Sequence, residues 1–230
     1  KVFRLDSQNR TDKFKELLEN LPLEHIQAST EIINYAKSVL NRRLNQSIYI
    51  TLTDHINFAI ERFKERMVFT NPLLNEIKTF YKEEYLVGEY AVALIERRIG
   101  IKLPVDEAGF IALHIVNAEY NTVMRDTIDI TNLIQNVVKI VKEYFSMDLD
   151  ETSLNYQRFV THLRFLAQRI IGGEMLNSEN PEFNQLISQM YPEEYACSLK
   201  LKDYIQVTYH HDVTEEETAY LAVHIKRIRM

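Results

Sequence analysis

The chain has no tryptophan, a single cysteine (Cys197), and only 5 glycines and 5 prolines in 230 residues. One cysteine excludes an internal disulfide and a cysteine-built metal cluster, and suits a reducing, cytoplasmic setting. So little Gly and Pro leaves few of the tight turns that a β architecture needs. No apolar run approaches the ~20 residues required to span a bilayer, so no membrane insertion is expected. The opening KVFRLDSQNR also lacks the apolar core of a signal sequence. Positive charge is in short supply as well: 27 Lys and Arg stand against 33 Asp and Glu, a net charge of −6. That is the wrong sign for neutralising phosphates, so this stretch is not expected to bind RNA or DNA itself.

What is present is helical patterning. Hydrophobic residues make up 46% of the chain and recur every three or four positions, which predicts an all-α protein. The pattern is also duplicated. At an offset of 110, Tyr81–Ile115 aligns with Tyr191–Ile225 without a gap, and nine of the 35 pairs are identical, among them Glu83/Glu193, Glu84/Glu194, Glu107/Glu217 and His114/His224. At an offset of 107, DHINFAIER (Asp54–Arg62) aligns with THLRFLAQR (Thr161–Arg169), matching His55/His162, Phe58/Phe165 and Arg62/Arg169. Self-similarity over so long a period marks two copies of one structural unit, joined near NTVMRDTIDITN (Asn121–Asn132).

Each unit is expected to be a bundle of five helices. The first is read as 24–44, 48–67, 72–85, 89–99 and 106–120, with 11–20 as an entry arm; the second as 130–146, 153–171, 181–190, 194–209 and 215–229. Gly100 and Gly172-Gly173 suit helix ends because they accept left-handed backbone. Thr214 with Glu217 has capping-box spacing, and Asn71 and Asn180 are placed to cap helices begun by Pro72 and Pro181.

Four of the seven histidines, His55, His114, His162 and His224, occupy equivalent positions in the two copies; His25, His210 and His211 do not. Helical spacing places His114 with Phe110, Ile111 and Glu107, and His224 with Tyr220, Leu221 and Glu217. His55 and His162 precede Phe58 and Phe165 by three residues and Arg62 and Arg169 by seven. All four thus sit in apolar stripes. A single histidine there reads as a core residue satisfied by a neighbour. Retention of the imidazole in both copies points to its chemistry instead. A metal site needs three or four converging ligands, and two histidines per copy without a matched Cys or Asp set fall short; no metal or other cofactor is implied. Phosphorylation on nitrogen fits better, since neutral imidazole is a competent nucleophile near pH 7. Arg62 and Arg169 are then candidate partners for the phosphoryl group. The His-Asp dipeptide at His211-Asp212 resembles one element of metal phosphohydrolases, but it lies in a polar, turn-like stretch.

The motifs TDHINFAIER, LPVDEAGFIALHIVNAE, FVTHLRFLAQR and YLAVHIKR resemble the bacterial transcriptional antiterminators of the BglG/LicT/SacY type, in particular their two tandem PTS-regulation domains (PRDs). The resemblance covers essentially the whole chain. It implies residues 1–10 as a linker from an N-terminal RNA-binding domain, a first PRD over 11–121 and a second over 122–230. It further implies a homodimer, a regulator rather than an enzyme, and phosphorylation of His55, His114, His162 and His224 by the phosphotransferase system. The donors implied are the phosphocarrier HPr and the B domain of a sugar-specific enzyme II. RNA would be reached only through the N-terminal domain. Arg158 and Arg227 join Arg62 and Arg169 as expected phosphoryl partners, and Asp54, replaced by Thr161 in the second copy, is expected to orient His55. A PRD pair from a DNA-binding activator, an all-α metal phosphohydrolase and an inert helical scaffold are the alternatives.

Overall fold

The computed structural model describes residues 21–173 and 180–230, so the expected linker 1–10 and the helix at 11–20 lie outside the described residues. Among the described residues there are ten α-helices and no strand. They are α1 (Leu23–Leu40), α2 (Ile48–Lys64), α3 (Leu74–Phe80), α4 (Lys82–Ile99), α5 (Val105–Tyr120), α6 (Met124–Phe145), α7 (Leu154–Gly172), α8 (Pro181–Met190), α9 (Pro192–Tyr209) and α10 (Glu215–Ile228). The chain divides into two compact units, the first ending at Thr127 and the second running Ile128–Met230. The all-α expectation holds.

In the first unit α1 packs on α2 and α4, and α5 packs on α2, α3 and α4. The core between them is aliphatic: Ile32, Ile33, Ile48, Leu52, Ile56, Ile60, Ile95 and Ile115 are fully buried. Gly88 lets α4 approach α5, because a Cβ there would meet the carbonyl oxygen of Ala108 at 2.1 Å. In the second unit α10 packs on α7, α8 and α9, over buried Phe159, Leu163, Leu166, Leu201, Leu221 and Ile225. The helix carrying the second histidine of each unit, α5 or α10, is therefore laid across the helix carrying the first, α2 or α7.

Several ends follow the expected chemistry. Gly100 and Gly173 close α4 and α7 with φ of 75° and 70°. Asn180 Oδ1 accepts from the Phe183 N–H at 3.0 Å, and Thr214 Oγ1 accepts from the Glu217 N–H at 3.2 Å. Several boundaries differ. α1 stops at Leu40 rather than 44, because Asn41 takes the left-handed conformation (φ 51°). α2 ends at Lys64 rather than 67, with Arg66 at φ 60°. The break expected near 85–89 instead falls at Tyr81, whose non-helical backbone (φ −127°, ψ 48°) separates α3 from α4 while its ring is buried. In the second unit the helix breaks likewise at the half-buried Tyr191 (φ −131°, ψ 61°), so α9 begins at Pro192 rather than 194. Pro72 does not open a helix: α3 starts at Leu74, and Asn71 Oδ1 accepts from the Leu73 N–H at 3.0 Å in a turn before it. The expected join is itself largely helical, with α6 starting at Met124.

A paired-histidine centre in each unit

Glu107 is the third residue of α5, two turns before His114, and its carboxylate faces α2. Its Oε1 accepts from Arg62 Nη2 at 2.8 Å, and its Oε2 lies 3.1 Å from His55 Nε2. All three side chains are largely or fully enclosed. A glutamate at this position commonly turns back to cap its own helix; here it bridges to the neighbouring one. His55 and Arg62 are seven residues apart on α2, about two turns, and both converge on the one carboxylate. The His55 ring lies against His114, with centroids 4.7 Å apart, and 6.0 Å from Phe110. The Arg62 guanidinium also lies over Phe58 and Phe69, 4.7 and 4.6 Å from their ring centres.

The second unit repeats the set. Glu217, the third residue of α10, contacts Arg169 through Oε1 and lies 3.4 Å from His162 Nε2 through Oε2. His162 and His224 rings are 4.7 Å apart and nearly parallel. Tyr220 takes the place of Phe110, 6.4 Å from His162. The duplicated motif residues are thus brought together as His–His–Glu–Arg twice over.

Electrostatics distinguishes the two rings of each pair. Burial, then the neighbouring His55, pushes His114 down to about 3. Burial, then His162, then Arg227, pushes His224 down to about 4. Both rings are neutral at pH 7 and keep a lone pair for nucleophilic attack. Burial opposes the charge on Glu217, yet His162 and Arg169 hold its carboxyl below the usual range.

The expected accessory residues fare unevenly. Arg62 and Arg169 are already engaged by carboxylates. Arg227 is close enough to oppose protonation of His224, though it and Arg158 are exposed. Asp54 is exposed too; the carboxylate beside His55 is Glu107. The stripes are also less buried than expected, with Phe58 and Phe165 both exposed. Sequence reasoning placed Glu107 and Glu217 beside the second histidines and missed their contact with the first; their identity in both copies was the signal available. His210 caps α9 in the left-handed region and Asp212 pairs with Lys202 at 3.3 Å. Among the described residues no group of three His, Cys, Asp or Glu side chains is arranged to hold a metal ion.

The family model described as PRD domain matches residues 30–118 and 135–228, one match around each centre. Transcription antiterminator LicT of Bacillus subtilis (strain 168) is 45% identical over 228 residues, 99% of this chain and 82% of the relative. The chain belongs to the PRD-containing transcription antiterminators. Within this family the Beta-glucoside operon antiterminator of Dickeya chrysanthemi is 41% identical over 100% of this chain and 81% of its own length. Protein GlcT of Staphylococcus saprophyticus is 33% identical over 98% of this chain and 80% of its own. A solved structure described as "Crystal structure of GlcT CAT-PRDI" aligns at 37% identity and a TM-score of 0.48, covering 51% of this chain and 70% of that one. As a PRD pair, the chain is the regulatory part of an antiterminator. No helix among its described residues is long and apolar enough to cross a membrane.

Proposed function

We propose that this chain is a cytoplasmic, non-enzymatic switch that couples phosphotransferase-system activity to antitermination of a β-glucoside operon. The phosphoryl acceptors are His55 and His114 in the first PRD (11–121) and His162 and His224 in the second (122–230). A sugar-specific enzyme II serves the first pair and HPr the second. The observation that carries the reading is the same His–His–Glu–Arg centre in both units. A scaffold needing only core volume has no use for a pair of facing imidazoles set against a buried glutamate in each unit.

Each phosphoryl group brings roughly −1.5 to −2 charges at neutral pH. Placed beside a buried carboxylate, that charge is repelled, and relief requires the carboxylate or the helix bearing it to move. Such a change at a symmetric interface shifts a homodimer equilibrium. The altered dimer geometry then passes through the segment 1–10 to an RNA-binding domain. Antitermination is favoured over a DNA-binding activator because relatives matching nearly the whole chain carry that name.

The test is intact mass after incubation with phosphoenolpyruvate, enzyme I and HPr, with and without enzyme II. Acid-labile adducts mapping to His162 or His224 with HPr alone, and to His55 or His114 only with enzyme II, are expected. No adduct under either condition would overturn the reading.

A further inference from the structure

The contact between each first histidine and its glutamate has an unusual feature. His55 Nε2 and Glu107 Oε2 lie 3.1 Å apart, yet both are buried and neither forms an aligned hydrogen bond with any partner among the described residues. His162 Nε2 and Glu217 Oε2 stand in the same relation at 3.4 Å. A ring lone pair facing a carboxylate oxygen at that distance in a buried site is repulsive. Two unpartnered buried polar atoms also carry a large desolvation penalty. Both problems vanish if the proton sits on Nε2 and a small ring rotation aligns it with the carboxylate. The Arg62 and Arg169 guanidiniums hold the far oxygen and keep each carboxylate in place. With Nε2 protonated, the lone pair of the ring is on Nδ1. The second histidine of the first unit is arranged the opposite way: His114 has its Nδ1 buried without a partner, and its neighbour is a ring rather than a carboxylate.

Building on the phosphoryl-acceptor reading, we propose that Glu107 and Glu217 are positioning residues that hold the proton of His55 and His162 on Nε2, so that Nδ1 takes the phosphoryl group. In the transfer, the Nδ1 lone pair forms the new N–P bond. The bond between phosphorus and the donor atom that carried it breaks, and its electron pair stays on that donor atom. The accepting ring gains positive charge, which is spread to Nε2–H and met by the glutamate. The Nε2 proton remains between ring and carboxylate throughout. Among the described residues no such carboxylate faces His114, so His55 is the faster acceptor of its pair, and any phosphoryl group on His114 resides on Nε2.

The experiment uses the chain labelled with ¹⁵N-histidine, with resonances assigned from His55→Gln and His114→Gln variants. Long-range ¹H–¹⁵N correlation reads the tautomer before reaction. ³¹P coupling reads the phosphorylated nitrogen after treatment with phosphoramidate and, separately, with phospho-HPr and phosphorylated enzyme II. The expected results are the Nε2–H tautomer at His55 and His162 and phosphorus coupled to their Nδ1. Glu107→Gln should turn its carbonyl to Arg62 and its amide to His55, moving the ring proton to Nδ1. Phosphorylation of His55 should slow by roughly tenfold or more. An Nδ1–H tautomer in the unmodified chain, phosphorus on Nε2 of His55, or an unchanged rate in Glu107→Gln would each overturn the proposal. The tautomer measurement needs no variant to fold. Failure of both protein donors to phosphorylate any histidine, with the Nε2–H tautomer present and phosphoramidate reacting at Nδ1, would sink the switch function while upholding the role of the carboxylates.

Discussion

At the scale of single residues, the buried titratable groups set how stability depends on pH. His114 and His224 are held down to about 3 and about 4 by burial and by their partner rings, whereas an unfolded histidine titrates near 6.5. Between these values the unfolded chain binds protons that the folded one refuses. Stability is therefore fully present above pH 6.5 and is lost as pH falls toward 4. Thermal melts from pH 7 to 4 should show this acid limb, and His114→Asn with His224→Asn should flatten it. Glu119 has the opposite sign. Burial, then Glu84, pushes it up to about 7 against the pull of Arg42. Folding is thus penalised as pH rises from 4.5 to beyond 7, when Arg42 faces both carboxylates. Glu119→Gln should raise the melting temperature at pH 8 and have little effect at pH 5; an equal shift at both would contradict this assignment.

Helices and their junctions carry the next set of consequences. The contact of α4 with α5 depends on Gly88, since any Cβ there collides with the Ala108 backbone. Backbone cannot yield as a flexible side chain can, so Gly88→Ala should destabilise the first unit by roughly 2–3 kcal/mol in chemical denaturation. The gain in helix propensity is smaller, about 1 kcal/mol. The second unit, measured by its own histidine resonances, should be unaffected. The Glu-Glu pairs at the start of α4 and α9 show how a repeated motif can be satisfied by different partners. Arg42, just beyond α1, takes Glu83, Glu84 and Glu119. In the second unit Arg229, after α10, takes Glu193 and Glu194, with Lys226 also on Glu194. The acidic positions match between copies, but the cation follows the first helix in one unit and the last helix in the other.

For the whole molecule, the prediction concerns association. Asp substitutions place negative charge at the paired-histidine centres as a phosphoryl group would. His162→Asp with His224→Asp, and His55→Asp with His114→Asp, should each shift self-association in sedimentation velocity away from that of the unmodified chain. Identical behaviour of the two double variants and the unmodified chain would contradict a charge-driven dimer switch. Salt should blunt both effects to the extent that the charges are solvent-facing.

The helical class, the duplication and the four paired histidines were all legible in the chain, because spacing, turn chemistry and repetition are local or self-referential properties of sequence. The helix stops at Gly100 and Gly173 and the helix start at Asn180 were legible for the same reason. Tyr81 was not: nothing local breaks a helix there, and the non-helical backbone accompanies burial of its ring among neighbouring helices. Pro192, next to the matching Tyr191, was the one written hint. Glu107 and Glu217 mark the same divide at the site. Helical periodicity ties each to the second histidine of its unit, on its own helix. Only the crossing of α5 over α2, and of α10 over α7, turns each carboxylate to the first histidine and its arginine. Sequence by itself determined which residues are repeated; the packing of helices distant in the chain decided which of them meet, because side-chain contacts across a bundle are set by core burial rather than by neighbours in sequence.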